Sequence, residues 1–396
     1  MAAHRYDLIT VGGGIAASAL AKAMAERGAR VLVLERETKF RDRVRGEGLV
    51  PWGCGEAREL GILDLLKQGC GHELPIVDSG AGPRDLTATT VPRLPMISFH
   101  HPSMQETLLA AAERAGAEVR RGITVEKIEA GPAPAVVTDA GGHERLEARL
   151  VVAADGRGSA ARKWLGFASR EQSNPCYMAG VLLAGVRAPE NTVYFLFNPE
   201  LGMCAVLLYL GGGLSRGYCI YPKTAGYRLQ GESMLPQFFS ESARVYAPMA
   251  DWYAEAKSAG PLASFDTSDS WAEHAYRDGV ALVGDAAAVS DPTFGQGMSL
   301  SLRDARTLRD ELTKDSDWAA AAGRYANRRR EYFHACHTVE GWMRTIFQDP
   351  SPEAAAVRAR AMPLIAEDAT RVPDHINSGP DLPLNEHVRA RLFGDC

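Results

Sequence analysis

An α/β fold, in which a discontinuous first domain carries an inserted antiparallel sheet and ends in a helical segment, is predicted for this chain by three observations. Residues 6–35 read as strand, glycine-rich turn, helix and strand; residues 166–275 carry alternating aromatic and aliphatic runs; and a buried strand at 279–283 leads into a long helical region. With 396 residues the chain can fill two domains or one large domain with an insert. Its 44 Lys and Arg against 49 Asp and Glu give a formal charge of −5, which disfavours a nucleic-acid partner held by bulk positive charge. The apolar stretch Met203–Leu210 is far short of the roughly 20 residues of a membrane helix, so no membrane span is expected, and no signal peptide is visible. Seven scattered cysteines (Cys54, Cys70, Cys176, Cys204, Cys219, Cys336 and Cys396) form no CxxC pair and read as reduced thiols in a cytoplasm.

The first unit runs Tyr6–Val11, then Gly12-Gly13-Gly14-Ile15, then an Ala-rich helix to Gly28, then Arg30–Leu34, which is a Rossmann-like βαβ unit. Residues 103–119 read as a helix capped by Ser103 and stopped at Gly116, followed by extended pieces near Val125 and at Leu150–Ala153. Thr192–Phe197, Met203–Tyr209 and Arg216–Tyr221, separated by Asn-Pro and Gly-Gly-Gly turns, predict antiparallel strands. Gly279–Val283 then leads through Gly284-Asp285 into a helical region expected from Gly297 to Phe347. Six prolines punctuate the tail, whose clear element begins at Ser351-Pro352-Glu353. The expected division is 1–75, 100–165 and 276–345 for the first domain, 76–99 and 166–275 for the second, and 346–396 for a helical tail.

The chemistry starts at Gly12-x-Gly14-x-x-Ala17, which follows a strand, opens a helix and is answered by Glu35, 23 residues after Gly12. Gly12, Gly13 and Gly14 let the backbone approach a pyrophosphate, the helix start at Ile15, Ala16 and Ala17 favours its charge, and Glu35, followed by Arg36, can accept both ribose hydroxyls of an adenosine. FAD and NAD both satisfy this pattern. Later motifs decide between them. Asp155-Gly156-Arg157-Gly158-Ser159-x-x-Arg162 follows the strand Leu150–Ala154, and Gly284-Asp285 places a carboxylate where it can bind a polyhydroxyl chain such as ribityl. Pro292-Thr293-Phe294-Gly295-Gln296-Gly297-Met298 supplies a helix N-terminus suited to the negative charge of a reduced flavin ring.

On these blocks (Val11–Glu35, Val151–Arg162 and Val280–Leu300) the chain resembles the single-component FAD-dependent aromatic monooxygenases, the para-hydroxybenzoate hydroxylase-like group. The resemblance implies an FAD-binding domain joined to an antiparallel substrate domain, with FAD as cofactor and NAD(P)H as a transient reductant. It implies that O2 adds to the reduced flavin as a C4a-hydroperoxide, from which one oxygen passes to a small aromatic or polycyclic substrate. It further implies that Gly12, Gly14 and Glu35 hold the adenosine diphosphate, that Arg45 reaches the flavin side, and that the backbone of Val125 touches adenine. Asp155 and Arg157 match the motif linked to both FAD and NAD(P)H; Asp285 and Pro292–Met298 match the ribityl and isoalloxazine contacts. His101 stands where the family often has Gln or Arg against FAD, and Ala288 where many members have His.

The segment Val44-Arg45-Gly46-Glu47-Gly48-Leu49-Val50-Pro51 is also similar to flavin-dependent halogenases and geranylgeranyl reductases, which keeps a reductase or a halogenase as alternatives. Against a halogenase, Val44 occupies the place of its lysine, and no Trp-x-Trp-x-Ile-Pro motif exists among the six tryptophans. A non-catalytic FAD module is the third reading. No residue-based catalytic constellation is required, because the flavin carries the chemistry. Tyr194, Phe197, Met203, Tyr218, Tyr221 and Phe294 are the candidate substrate-pocket residues, with ordinary sheet core as the competing role of each. His334, Cys336 and His337 lack further ligands for a metal, Arg328–Arg330 reads as a solvated helix face, Trp252 and Trp271 as core, and Cys54 has no activating base. The oligomeric state is open at this level.

Overall fold

The computed structural model describes residues 6–140 and 143–396, so the first five residues of the expected first domain lie outside the described residues. Four strands form a parallel core in the order Val280–Leu282, Arg145–Ala153, Tyr6–Val11, Val31–Glu35, extended by Glu118–Arg121. Leu8, Ile9, Leu32, Val33, Val151, Val152, Ala281 and Leu282 are wholly buried, as expected of a sheet covered on both faces. The helix Ile15–Ala25 covers it because the alanines at 16, 17, 19, 21 and 23 let the backbone pack closely. Tyr276–Arg277 adds an antiparallel edge, and the hairpin Val125–Glu129 with Ala135–Thr138 extends from the other side of Arg145–Ala153.

The second large sheet runs through Cys176–Ala184, Leu214–Pro222, Met203–Gly211 and Thr192–Asn198, all antiparallel, and ends on Ile76–Asp78 and Pro83–Asp85. Met96–Phe99 instead pairs with Gly48–Leu49 and Gly71–Leu74 in a separate three-stranded sheet. Both faces of the large sheet are apolar. Tyr194, Leu196, Met203, Ala205, Leu207, Cys219 and Tyr221 pack beneath Leu235–Val245 and Met249–Trp252, whereas Cys204, Val206, Leu208, Tyr218 and Ile220 face Val44, Trp52, Met96 and Ala288.

Two helix boundaries differ from the sequence expectation. The first is at His101–Arg114, which starts two residues before Ser103, since Pro102 has the φ a first helical turn wants and no N–H to satisfy. Gly116, at φ +102°, follows its end. The helical region expected from Gly297 to Phe347 is divided into two helices, Gly297–Lys314 and Trp318–Phe347, because the Asp317 carboxylate accepts from the N–H of Ala319 and Ala320 and starts a new helix. In the tail, Ser351 caps Pro352–Glu367 as its sequence indicates.

These two long helices are tied to the parallel sheet by a buried network. Asp304 accepts from the Gly284 N–H at 2.8 Å, from Arg329 Nε at 3.3 Å and from the Tyr332 hydroxyl at 2.5 Å, with all three side chains buried. Tyr325 donates to the Leu282 carbonyl at 2.7 Å. Removing one member of a buried ion pair strands its partner. Asp304→Ala is therefore expected to lower stability by about 3–5 kcal/mol, read as a reduced urea midpoint, whereas a surface carboxylate would change it by less than about 1 kcal/mol.

Candidate cofactor site

The carboxyl ends of Tyr6–Val11, Val31–Glu35, Arg145–Ala153 and Val280–Leu282 lie on one edge of the sheet; a glycine-bearing motif follows the first, third and fourth, and Glu35 ends the second. Gly12 has φ +100°, and a Cβ there would lie 2.5 Å from the Ala154 carbonyl oxygen, so only glycine lets the first turn meet the third strand's end. The Gly13 N–H donates to Glu35 Oε2 at 2.7 Å and the Glu37 N–H to Oε1 at 2.8 Å, which fixes the buried carboxylate at the turn. Gly14 begins the helix Ile15–Ala25 without a side-chain cap, and nothing lies within 4 Å of a Cβ built on it. That helix N-terminus therefore faces open space, as an anion site requires. Ala16 and Ala17 are buried, and a Cβ on Gly284 would come within 3.4 Å of Ala16.

On the opposite wall, Asp155 Oδ2 accepts from the Ala161 N–H at 3.0 Å, while its Oδ1 is buried with no hydrogen-bond partner among the described residues. Gly156, at φ +80°, and Gly158 both face open space. Arg157 donates to the Asp266 carbonyl at 2.9 Å, and its buried Nε has no partner among the described residues. Burial pushes the Asp285 carboxyl up, against the opposing pull of Arg157 and Arg45. Arg45 lies over the Phe265 ring at 5.0 Å; burial and the nearby Arg157 lower its pKa. Open space at three glycines, an anion-ready helix start and two buried polar atoms awaiting partners fit an elongated dinucleotide carrying phosphates and hydroxyls.

The remaining candidates divide. Gly46, at φ +69°, is wedged between His101 and Met298, each 3.3 Å from where its Cβ would stand, and His101 Nδ1 donates to the Gly46 carbonyl at 2.7 Å. Burial holds His101 below the usual imidazole range, so it acts as a neutral donor. The turn Pro292–Phe294 is capped by Asp291, which accepts from the Thr293 N–H at 2.9 Å, and Gly295 follows at φ +69°. Gln296 braces that turn: its amide donates to the Phe294 and Ile376 carbonyls and accepts from Trp52 Nε1. Gly297 and Met298 then start the helix. Arg36 is exposed, 3.5 Å from Glu37, and Val125 is half-buried on the hairpin opposite Thr138.

The six aromatic-pocket candidates fall on two faces. Tyr218, Phe197 and Phe294 are on the cofactor side, with the Phe197 and Phe294 rings stacked at 6.2 Å. Tyr194, Met203 and Tyr221 lie on the other face, Tyr194 against Trp252 at 4.5 Å and Tyr221 against Tyr227 at 5.6 Å. Only the first three can therefore line a pocket between the sheet and the glycine-bearing loops. In their place the structure brings in a group that sequence reasoning missed. Glu47, 1% exposed, accepts from the Tyr218 hydroxyl and lies 3.2 Å from Arg216, which is fully buried and also donates to Asp42 at 2.7 Å. Burial pushes the Glu47 carboxyl up to about 7, with Arg216 opposing. Asp304 was missed as well.

Two outcomes are expected. Glu35→Ala removes a buried acceptor fixed at the turn and should weaken FAD binding about tenfold or more, measured by titrating the apoprotein with FAD; unchanged affinity contradicts the assignment. Because Glu47 is neutral below and ionised above about pH 7, a component of the turnover rate should change through that pH, and Glu47→Gln should abolish that component.

Residues 5–335 match the family described as FAD binding domain. Rifampicin monooxygenase of Streptomyces venezuelae is 30% identical over 325 residues, covering 79% of this chain; the chain spans 65% of that relative's length. 6-Methylpretetramide 4-monooxygenase of Streptomyces rimosus is 28% identical over 384 residues, covering 91% of this chain and 88% of the relative. The crystal structure of p-nitrophenol 4-monooxygenase from Pseudomonas putida superimposes with a TM-score of 0.78 at 20% identity, over 94% of this chain and 96% of that one, which is a likeness of fold. The chain thus belongs to the FAD-binding-domain family, whose relatives include FAD-dependent monooxygenases.

Proposed function

We propose that this chain is an FAD-dependent monooxygenase that uses NAD(P)H and O2 to place one oxygen atom on an electron-rich aromatic or polycyclic substrate. The observation that supports this reading is that Val44, Val50, Ala288 and Leu300, from the two segments carrying the candidate flavin-side residues, pack on the apolar face of the antiparallel sheet, with the buried Glu47 and Tyr218 pair at that contact. The named relatives act on rifampicin and 6-methylpretetramide, which supports a ring-system substrate. Bound FAD supplies the electron transfer and oxygen activation.

The chain's own residues bind, orient and exclude water. Glu35 takes the ribose, the N-terminus at Gly14 takes the pyrophosphate, Asp285 with Arg45 and Arg157 takes the ribityl end, and Pro292–Met298 supports the ring system. Phe197, Phe294 and Tyr218 form an apolar wall for the substrate, and Glu47 holds or releases a proton at Tyr218 Oη. Stable geometry and dryness there protect a reactive flavin from unproductive loss of oxidant. In the same reading, residues 1–75, 100–165 and 276–345 form the FAD domain, 76–99 and 166–275 the substrate domain, and 346–396 a tail that braces Gln296 through Ile376. The charge gives no support to a nucleic-acid partner. No helix among the described residues is long and apolar enough to cross a membrane, and the seven cysteines are unbridged, which supports a cytoplasmic setting.

The balance is one NAD(P)H, one H+, one O2 and one substrate giving NAD(P)+, water and oxygenated product. The test is a panel of phenolic and polycyclic compounds turned over under isotopically labelled O2. The expected result is one labelled atom in the product and substrate-stimulated NAD(P)H oxidation. Substrate consumption without O2 would establish a reductase instead.

A further inference from the structure

A second group of buried charges lies outside the cradle. In the strand pair Ser169–Gln172 and Asp269–Ala272, Arg170 is opposite Trp271 and Gln172 opposite Asp269, so these four side chains share a face. The helix Trp318–Phe347 crosses that face, leaving a cleft of about 590 Å³ lined by Arg170, Trp271, Arg330, Phe333, His334 and His337. At its inner end His337 reaches Gln172 Oε1 at 3.0 Å through Nε2 and lies 3.5 Å from Asp269 Oδ2 through Nδ1.

Behind His337 stand three carboxyls, Asp269, Asp291 and Glu340, each at most 2% exposed, with the Arg344 guanidinium beside them and Arg157 also acting on Asp269. Asp291 Oδ2 accepts from Arg344 at 2.7 Å and from Asn174 at 2.8 Å, while its Oδ1 accepts from the Thr293 N–H. Asp269 Oδ1, both Glu340 oxygens, Arg344 Nε and the Thr293 hydroxyl are buried without hydrogen-bond partners among the described residues. Arg344 is already paired with Asp291, so ionising Asp269 and Glu340 as well would bury negative charge that Arg344 and Arg157 do not fully match, which costs more than keeping protons on those two carboxyls. No arrangement of ligands able to hold a metal ion exists among the described residues, so protons are the available counter-charge.

We propose that Asp269 and Glu340, beside the Asp291–Arg344 ion pair, form a buried proton-holding site that exchanges with water through His337 in the cleft and serves the turn Pro292–Phe294 that Asp291 caps, giving up a proton to the oxygen atom that leaves as water. This rests on the monooxygenase reading, whose overall reaction takes up one proton per turnover; the site supplies that proton and is refilled from water, so charge and atoms balance. The charges facing the site agree with it. Burial and Asp291 raise Asp269 to about 7, against Arg344 and Arg157, and burial with both aspartates raises Glu340 well above the carboxylate range. Burial, Arg344 and His334 keep His337 neutral, able to accept on one nitrogen while donating from the other.

The experiment uses the holoprotein and the isosteric variants Asp269→Asn and Glu340→Gln. A carboxyl whose folded pKa is raised stabilises the fold fully below its unfolded pKa of about 4, and this contribution is lost as pH rises through its folded pKa. The thermal midpoint of the wild type should therefore fall between pH 5 and 8, and Asp269→Asn should fall less steeply. Turnover at saturating NAD(P)H and substrate should drop about tenfold or more in Asp269→Asn and recover in Asp269→Glu. Midpoints that keep the wild-type slope in both variants overturn the proton-holding site, and a flattened slope with wild-type turnover overturns its part in supplying the proton that turnover consumes. A wild type that shows the slope but never oxidises NAD(P)H refutes the monooxygenase reading while leaving the proton-holding site decided by the midpoints.

Discussion

The contact on which the cofactor cradle depends is the approach of Gly12 to the Ala154 carbonyl, where any side chain would stand 2.5 Å from a backbone oxygen. Because that position is closed to every residue but glycine, the turn after the first strand can be seated between its two parallel neighbours, with the Gly12 N–H donating to the Leu34 carbonyl at 2.8 Å. This seating aims the first helix at open space and delivers the Gly13 N–H to Glu35. The Asp155 loop and the Gly284 loop then close around the same opening from the ends of adjacent strands. The loops that follow Val11, Glu35, Ala153 and Leu282 share one opening because parallel strands put all their carboxyl ends on one edge.

The second half of the site depends on sheet parity. The large antiparallel sheet is apolar on both faces, so one face can be sealed under Leu235–Val245 while the other meets the cradle. Into that second interface the chain places the buried Glu47 and Arg216 with the half-buried Asp42, an ion cluster that hydrophobic packing alone would not select. Such a cluster is costly as structure and useful as chemistry, since it keeps a titratable carboxyl beside an aromatic wall.

The fingerprint through Glu35 and the later Asp155 and Asp285 loops were legible in the sequence because each is a local motif at a strand end, with spacing set by the backbone. Tyr194, Met203 and Tyr221 could not be told from Tyr218 and Phe197. Alternation reveals that residues share a face, but where both faces are apolar it does not reveal which face meets the cofactor. Glu47 stood in a segment singled out for its glycines, yet its partner Tyr218 is 171 residues away, and only tertiary packing makes the pair. The same holds for Asp304, whose tie to Gly284 turns a helix-face aspartate into a support of the cofactor loop. The break at Asp315–Asp317 was within reach, since an aspartate preceding Trp318-Ala319-Ala320 is a capping pattern.

The central claim is that this chain's cradle holds FAD. Its most direct test is the visible absorbance spectrum of the purified protein, followed by denaturation and chromatography of whatever is released, with reconstitution of any apoprotein by added FAD. The account predicts one FAD per chain, bound without a covalent link and recoverable intact. A folded protein that carries no flavin and takes up none when FAD is supplied would contradict it.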